Sequence, residues 1–308
     1  MKRYRMVWLA LFLAILGIFL VFTGAARAQT GEKLVFSMND PAGDDYGAGN
    51  LVYPSRREFQ DHPGLFDLRQ FRVLEEGEAI LFDLTFGKIT NPWSTPEGFF
   101  HQLVDIYLDS APEAGRTDTL RPGANVRFSP DFAWDLLIQI RPFGGSAVYD
   151  ARGRVLAGKG QGTVNVGVMG GNTIRFSASR SIVGAPDRTW RYYVLVGGYD
   201  PFGPDHYRMV KARAGAWLFG GGEESKYQSN VIDLLAPKWG GMAQEKQLRS
   251  SRRAEKQLPV LFPVGVGVRN DSWWLIPLLM AMGLVVVAVV LLQRMKNDAA
   301  GSGGSRRR

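Results

Sequence analysis

Cysteine is missing from all 308 residues. Its absence excludes a disulfide scaffold, a thiolate zinc site, an iron–sulfur cluster and a cysteine nucleophile. Histidine is scarce: His62, His101 and His206 are the whole supply, and none stands in a recognisable triad context for a nucleophilic serine. Acid is short at both ends. Lys2, Arg3, Arg5 and Arg27 have no carboxylate beside them in residues 1–28, and Arg294, Lys296, Arg306, Arg307 and Arg308 face Asp298 alone after residue 292. These two ends account for the whole net charge of +8, so bases and acids balance between residues 29 and 272. A folded domain in that stretch has no basic surface to offer a nucleic acid, and that partner class is excluded.

What is there begins with two long apolar runs. Lys2-Arg3-Tyr4-Arg5 precedes an uncharged run, residues 6–22, and Ala26 and Ala28 occupy the −3 and −1 positions of an A-x-A cleavage site. This reads as a signal peptide over residues 1–28, cut before Gln29, with an uncleaved signal anchor as the alternative. Residues 273–292 form a second run without charge. At 1.5 Å per residue it is long enough to cross a hydrocarbon core of about 30 Å as one transmembrane helix. Trp273-Trp274 suits an interfacial aromatic belt, and the basic tail, residues 293–308, is assigned to the cytoplasm by the positive-inside rule. The expected protein is single-pass in the cell membrane, in contact with the lipid bilayer, with an extracellular ectodomain.

The middle of the chain reads as all-β. Short alternating or β-branched runs occur at 34–37, 71–74, 79–86, 104–108, 134–140, 163–168, 173–178, 192–196 and 216–219. Turn formers separate them, among them Pro41-Ala42-Gly43, Glu76-Gly77, Gly144-Gly145 and Gly170-Gly171-Asn172. Regular short strands with glycine-rich turns predict a β-sandwich or jelly roll over residues 29–237. Residues 242–257, rich in Ala, Glu, Gln, Lys and Arg, predict an exposed helix, so residues 238–272 are read as a basic stalk and juxtamembrane segment. Within it, residues 258–268 suit either a last strand or a spacer.

The densest polar cluster runs from Asn39 to Asn50. Calcium requires six to eight hard oxygen ligands on a sharply bending loop, and Asp40, Asp44 and Asp45, spaced by glycines, offer carboxylates for it. The alternative is a turn whose acids face water. No catalytic constellation stands out: Asp105 and Asp109 share a strand face at i, i+4, and Glu75-Glu76 sits in a turn, so no enzyme is predicted. Of the tryptophans outside the apolar runs, Trp134, Trp190 and Trp217 lie in strand-like segments and suit a core. Trp93, in Asn91-Pro92-Trp93-Ser94-Thr95-Pro96, lies in a loop, where an indole can stack on the C–H face of a sugar; Phe99 and Phe100 follow it.

Taken in order, several blocks resemble the C-terminal module of glucodextranase, a cell-surface family also appended to amylopullulanases. They include Asn39-Asp40-Pro41 with Gly43-Asp44-Asp45, Phe66-Asp67-Leu68, Asn91-Pro92-Trp93 with Gly98-Phe99, Asp105-Ile106-Tyr107-Leu108-Asp109, Trp190-Arg191-Tyr192, Phe219-Gly220-Gly221-Gly222 and Asn230-Val231-Ile232-Asp233-Leu234-Leu235. The resemblance spans about residues 33–264. It implies a β-sandwich related to DOMON-like and family-nine carbohydrate-binding modules, and it strengthens the calcium expectation. It also implies sugar binding or the holding of polysaccharide-degrading enzymes at the surface; together with the Pro-bounded loop this makes Trp93, Phe99 and Phe100 the candidate carbohydrate-binding residues. No hydrolase domain is expected ahead of the module. The partners implied are a polysaccharide or surface glycan such as an α-glucan, and a surface glycoside hydrolase or envelope protein. Two alternatives stand beside this non-catalytic reading: an assembly protein of the envelope, and a DOMON-like haem domain using His62, His101 or Met38, without a C-x-x-C-H motif.

Overall fold

The structure, a computed structural model, describes residues 31–111, 115–158, 163–223, 225–249 and 257–265. The expected signal peptide, transmembrane helix and basic tail all lie outside them. Among the described residues no helix is long and apolar enough to cross a membrane.

Two antiparallel sheets face each other. The first has five strands: β1 (Lys33–Asn39), β2 (Leu68–Glu76), β3 (Ala79–Phe86), β10 (Thr173–Ser179) and β9 (Val164–Met169), side by side in that order. The second runs β12 (Asp233–Leu234), β11 (Arg191–Gly198), β4 (Gln102–Asp109), β6 (Leu136–Ile140), β7 (Ala147–Asp150) and β8 (Val155–Gly158), with β14 (Val264–Gly265) paired to β11. A small parallel pair joins β5 (Arg127–Phe128) to β13 (Val260–Leu261). Among the described residues, three short α-helices, α1 (Arg57–Gln60), α2 (Arg180–Val183) and α3 (Gln244–Arg249), and two single 3-10 turns, Pro130–Phe132 and Pro204–His206, complete the elements.

The five-stranded sheet follows from period-2 chemistry. In β10, Ile174, Phe176 and Ala178 point inward while Thr173, Arg175, Ser177 and Ser179 alternate outward, half-buried. The β2–β3 hairpin closes over Gly77-Glu78, with Gly77 at φ 57°, a left-handed value that costs glycine nothing. On the outer face Asp83 lies directly opposite Arg72 and Arg175 and accepts from both, at 2.8 and 2.6 Å.

The seven-stranded sheet is covered on both faces. Its inner side chains, Ile106, Ile138, Val148 and Val194, meet Phe71, Phe82, Leu84 and Phe176 from the first sheet in one core. Its outer side chains, Tyr107, Leu137, Tyr193 and Leu195, pack under Phe128, Trp134, Leu248 and Leu261 in a second. That second layer explains why β4 reads as a continuous run rather than an alternation. Each large apolar side chain so buried contributes about 1.5–3 kcal/mol of transfer free energy.

Three expectations change. The run at 216–219 contributes a single isolated bridge, Phe219 with Val210, inside a long loop, and Gly220 just after it bridges Val52. The run at 134–140 starts its strand at Leu136, and the Trp134 backbone bridges Arg116 instead. The stalk reading of the region after residue 237 also fails over its described part. Gln244, Gln247 and Leu248 of α3 are buried, β13 pairs β5, and β14 extends the second sheet, so the domain continues to at least Gly265.

Candidate functional site

Both groups of predicted site residues lie at one end of the sandwich. β11 ends where β4 begins, at Gly198 opposite Gln102, and β6 ends beside the start of β7. The Gln102 amide donates to the carbonyls of Leu65 and Lys88 at 2.6 and 3.2 Å, tying this sheet end to the loops that flank β2 and β3.

An acidic cluster sits here. Carboxylate oxygens of Asp40, Asp44 and Asp233 lie within 4.8 Å of one another. Asp40 follows β1, and its Oδ1 accepts from the Ala236 amide at 2.9 Å. Asp233 opens β12, and its Oδ2 accepts from the Leu68 amide at 2.7 Å. Asp67 stands beside them, accepting from the Gly43 amide at 3.0 Å and from Arg69 at 2.6 Å. Gln244 of α3 clamps the arrangement: its Oε1 accepts from the Leu234 amide at 2.5 Å, and its Nε2 donates to the Asp44 carbonyl.

Electrostatics make this cluster costly as it stands. Burial, then the neighbouring charge of Asp44, hold the Asp40 carboxyl well above its ordinary range, against the opposing pull of the Ala236 amide. Asp233 is raised by burial and by Asp40 and Asp44. Asp44 is pushed up to about 7 by burial and then by Asp67. Asp40 is only 7% exposed, yet its Oδ2 meets no amide, hydroxyl or cationic donor and faces the Asp233 carboxyl, with which it can bond only by sharing a proton; Asp44 Oδ1 has no partner either. A buried acceptor without a donor is expensive. A hard divalent cation surrounded by carboxylate and carbonyl oxygens would remove the conflict, and the donor set is oxygen only, which suits calcium rather than zinc.

The sequence placed Asp45 in this set, and the structure replaces it with Asp233. Asp45 is buried, and its Oδ2 accepts from the Tyr53 hydroxyl. Asp233 was missed because it lies far along the chain. Its signal was a carboxylate inside the apolar run Val231-Ile232-Asp233-Leu234-Leu235, where a charge must find a buried role.

The second group is aromatic. Trp93 is 42% exposed, with its ring 4.1 Å from Phe100 and 5.8 Å from Trp217. Asn91 fixes its loop, accepting from the Thr95 amide at 2.8 Å and donating to the Thr95 carbonyl at 2.9 Å. Trp217 is half-buried rather than core, with the guanidinium groups of Arg56 and Arg208 at 5.0 and 5.4 Å from its ring. Trp134 and Trp190 are buried as expected. Phe99 and Phe100 do not serve as sugar-stacking surfaces: Phe99 is fully enclosed in the inter-sheet core, and Phe100 is buried beneath Trp93. Two successive residues in an irregular segment point to different cores, and both are apolar enough to be taken inside.

His101 is packed edge-on against Phe59 at 4.8 Å and Phe100 at 5.2 Å. Burial, then the Arg208 charge, lower its pKa to about 3. A haem plane would have to displace these rings. Asp105 is fully buried, accepting from the Tyr207 hydroxyl at 2.9 Å and the Gln139 amide at 3.1 Å, and burial followed by the Asp205 charge lifts it to about 7. It faces a closed network, and Asp109 lies at the other end of the strand.

A family model matches residues 35–263: the C-terminal binding module, SLH-like, of glucodextranase. None of the curated proteins matches the chain.

Proposed function

The chain belongs to the family of C-terminal binding modules of glucodextranase, and from that premise we propose that it is a membrane-anchored glycan-binding module whose contact surface is centred on Trp93. The family is one of binding modules rather than catalytic domains, which accords with a non-enzymatic role. The observation that carries the sugar-binding reading is the half-exposed Trp93 indole, held on Phe100 beside Trp217 at the loop end of the sandwich. A pyranose laid on that face removes apolar area from water at about 25 cal/mol per Å² while its hydroxyls keep polar partners. An α-glucan is the ligand class we infer.

Calcium belongs to the same reading as a structural cation. Asp40, Asp44 and Asp233 would hold it, fastening the loop after β1 to β12. The two orphaned oxygens support that assignment. Anchoring completes it: residues 1–28 direct export, residues 273–292 cross the membrane, and the arginine-rich tail stays inside. The module then presents a polysaccharide, or a partner such as a surface glycoside hydrolase, close to the bilayer. Native electrophoresis of the full chain through gels containing pullulan or dextran tests the sugar reading. Retardation that Trp93→Ala removes without a large fall in melting temperature supports it. Equal mobility with and without glucan counts against it.

A further inference from the structure

Five described non-glycine residues adopt a left-handed φ, a conformation that a Cβ disfavours: Ser94, Asn125, Phe143, Asp205 and His206. Four of them fall in three loops that converge on Phe100 and Tyr199. Ser94 follows Trp93. Phe143, at φ 61°, is in the turn between β6 and β7. Asp205 and His206 follow β11. Rings connect these loops: Phe100 lies 6.0 Å from Phe143 and 5.8 Å from Tyr199, and Tyr199 stacks on His206 at 5.9 Å. Strain of this kind persists only where the surroundings over-determine it, and it gathers where a ligand is held.

Phe143 is the telling case. Its backbone conformation is the one a bulky residue tolerates least, yet its ring is 51% exposed, so it is not strained in order to fill a core. What holds it is Glu97, nearly buried and carried by the Trp93 loop. One carboxylate oxygen accepts from the Phe143 amide at 3.1 Å and the other from the Gly144 amide at 2.5 Å. That two-pronged grip fixes the Phe143 turn to the Trp93 loop, while Phe100 lies under both exposed rings. Trp93 and Phe143 thereby flank one ring, Phe100, whose centroid lies 4.1 and 6.0 Å from theirs.

Beside Phe143 opens a cleft of about 340 Å³, lined by Arg141, Phe143, Tyr149, Val155 and Tyr199 among others. This falls in the lower part of the roughly 300–1,000 Å³ range of small-ligand sites. Its lining combines the exposed ring of Phe143 with a polar fork. Arg141 hangs by Nε from the Gly145 carbonyl at 2.8 Å, and no other hydrogen bond of its guanidinium is found among the described residues. A pyranose has matching chemistry, a C–H face for the ring and vicinal hydroxyls for the fork. We propose that this cleft is a second saccharide subsite, so that the module grips two neighbouring units of one glucan chain, the first on Trp93 and the next between Phe143 and Arg141. Glu97 acts as a positioning residue that sets the spacing of the two.

The proposal rests on the glycan-binding reading, and chain length separates the two. The probes are glucose and the dextran-derived isomaltose and isomaltotriose, titrated calorimetrically into the full chain. With two subsites occupied, isomaltotriose binds roughly tenfold more tightly than glucose, equivalent to about 1.4 kcal/mol. Phe143→Ala, a change at a half-exposed ring, collapses that increment, so that isomaltotriose binds no more tightly than glucose. Glu97→Gln, which removes no ring, also shrinks the increment, because an amide has one acceptor oxygen for two amide donors. Trp93→Ala weakens all three ligands. An increment that survives both Phe143→Ala and Glu97→Gln in folded protein overturns the subsite and leaves the Trp93 platform standing. No binding of any of the three by the unmutated chain overturns both.

Discussion

Asp40→Asn should stabilise the cation-free protein and at the same time abolish its response to calcium. In the folded protein Asp40 Oδ1 accepts from Ala236, and Oδ2 meets no amide, hydroxyl or cationic donor and faces the Asp233 carboxyl in a cluster that also holds Asp44. An asparagine keeps the acceptor toward Ala236 and places an amide N–H₂ where the orphaned oxygen stood, facing carboxylates. An unsatisfied buried acceptor costs about 1–3 kcal/mol. Recovering about 1 kcal/mol of that at pH 8 raises the melting temperature by roughly 2–4 °C in a domain of this size. If the cluster binds calcium, the unmutated chain should gain about 2.7 kcal/mol with the cation a hundredfold above its Kd, which corresponds to roughly 5–11 °C. The variant lacks one of the three charges and should gain little. Melting curves of the full chain at pH 8, in chelator and in millimolar calcium, read both effects. Asp45→Asn is the control: its carboxylate serves Tyr53, so the calcium shift should survive. A variant at Asp40 that responds to calcium as fully as the parent, or a parent that does not respond at all, would refute the cluster as a cation site.

Stability should also fall as pH rises from about 4 to 7 in chelator. Asp44 and Asp105 are both raised to about 7 from 3.8, so across that window the folded state holds protons that the unfolded state has released; urea midpoints measure it, and calcium should flatten only the Asp44 share. Phe99→Ala, at a fully buried ring, should cost about 3–5 kcal/mol, whereas Trp93→Ala should cost well under that; paired denaturation curves compare them. An epitope inserted at Gly144 should be removed by protease added to intact cells, and one placed after Gly304 should be spared; the reverse pattern would contradict the topology.

The sequence made some of this fold plain. β3 was legible to the residue because the Glu76-Gly77 turn and the apolar run 79–86 mark both of its ends, and β10 because its alternation is clean. β7 and β8 were not legible: four residues each, beside Gly144-Gly145 and Gly158, they take their strand character from ladder pairing rather than from pattern. α3 was misread as solvated because Gln244 and Gln247 look like surface residues. Their amides are in fact spent on backbone groups, Gln244 on Leu234 and Gln247 on Phe262 at 2.7 Å. Two of the three carboxylates of the acidic cluster, Asp40 and Asp44, were visible in one loop. Asp233 required the topology, since only the antiparallel pairing of β12 with β11 brings it to the loop after β1. Phe143 reads as an ordinary turn residue in Arg141-Pro142-Phe143-Gly144-Gly145, and only its φ and its contact with Glu97 set it apart.

The central claim is that Trp93 and the loops around it hold a glycan. Its most direct test is a glycan array probed with the full chain in calcium-containing buffer, unmutated and as Trp93→Ala. The account predicts binding to a restricted set that includes α-glucans, lost in the variant while its melting temperature stays close to that of the parent. No bound glycan above background for the unmutated chain, or an unchanged profile in Trp93→Ala, would contradict it.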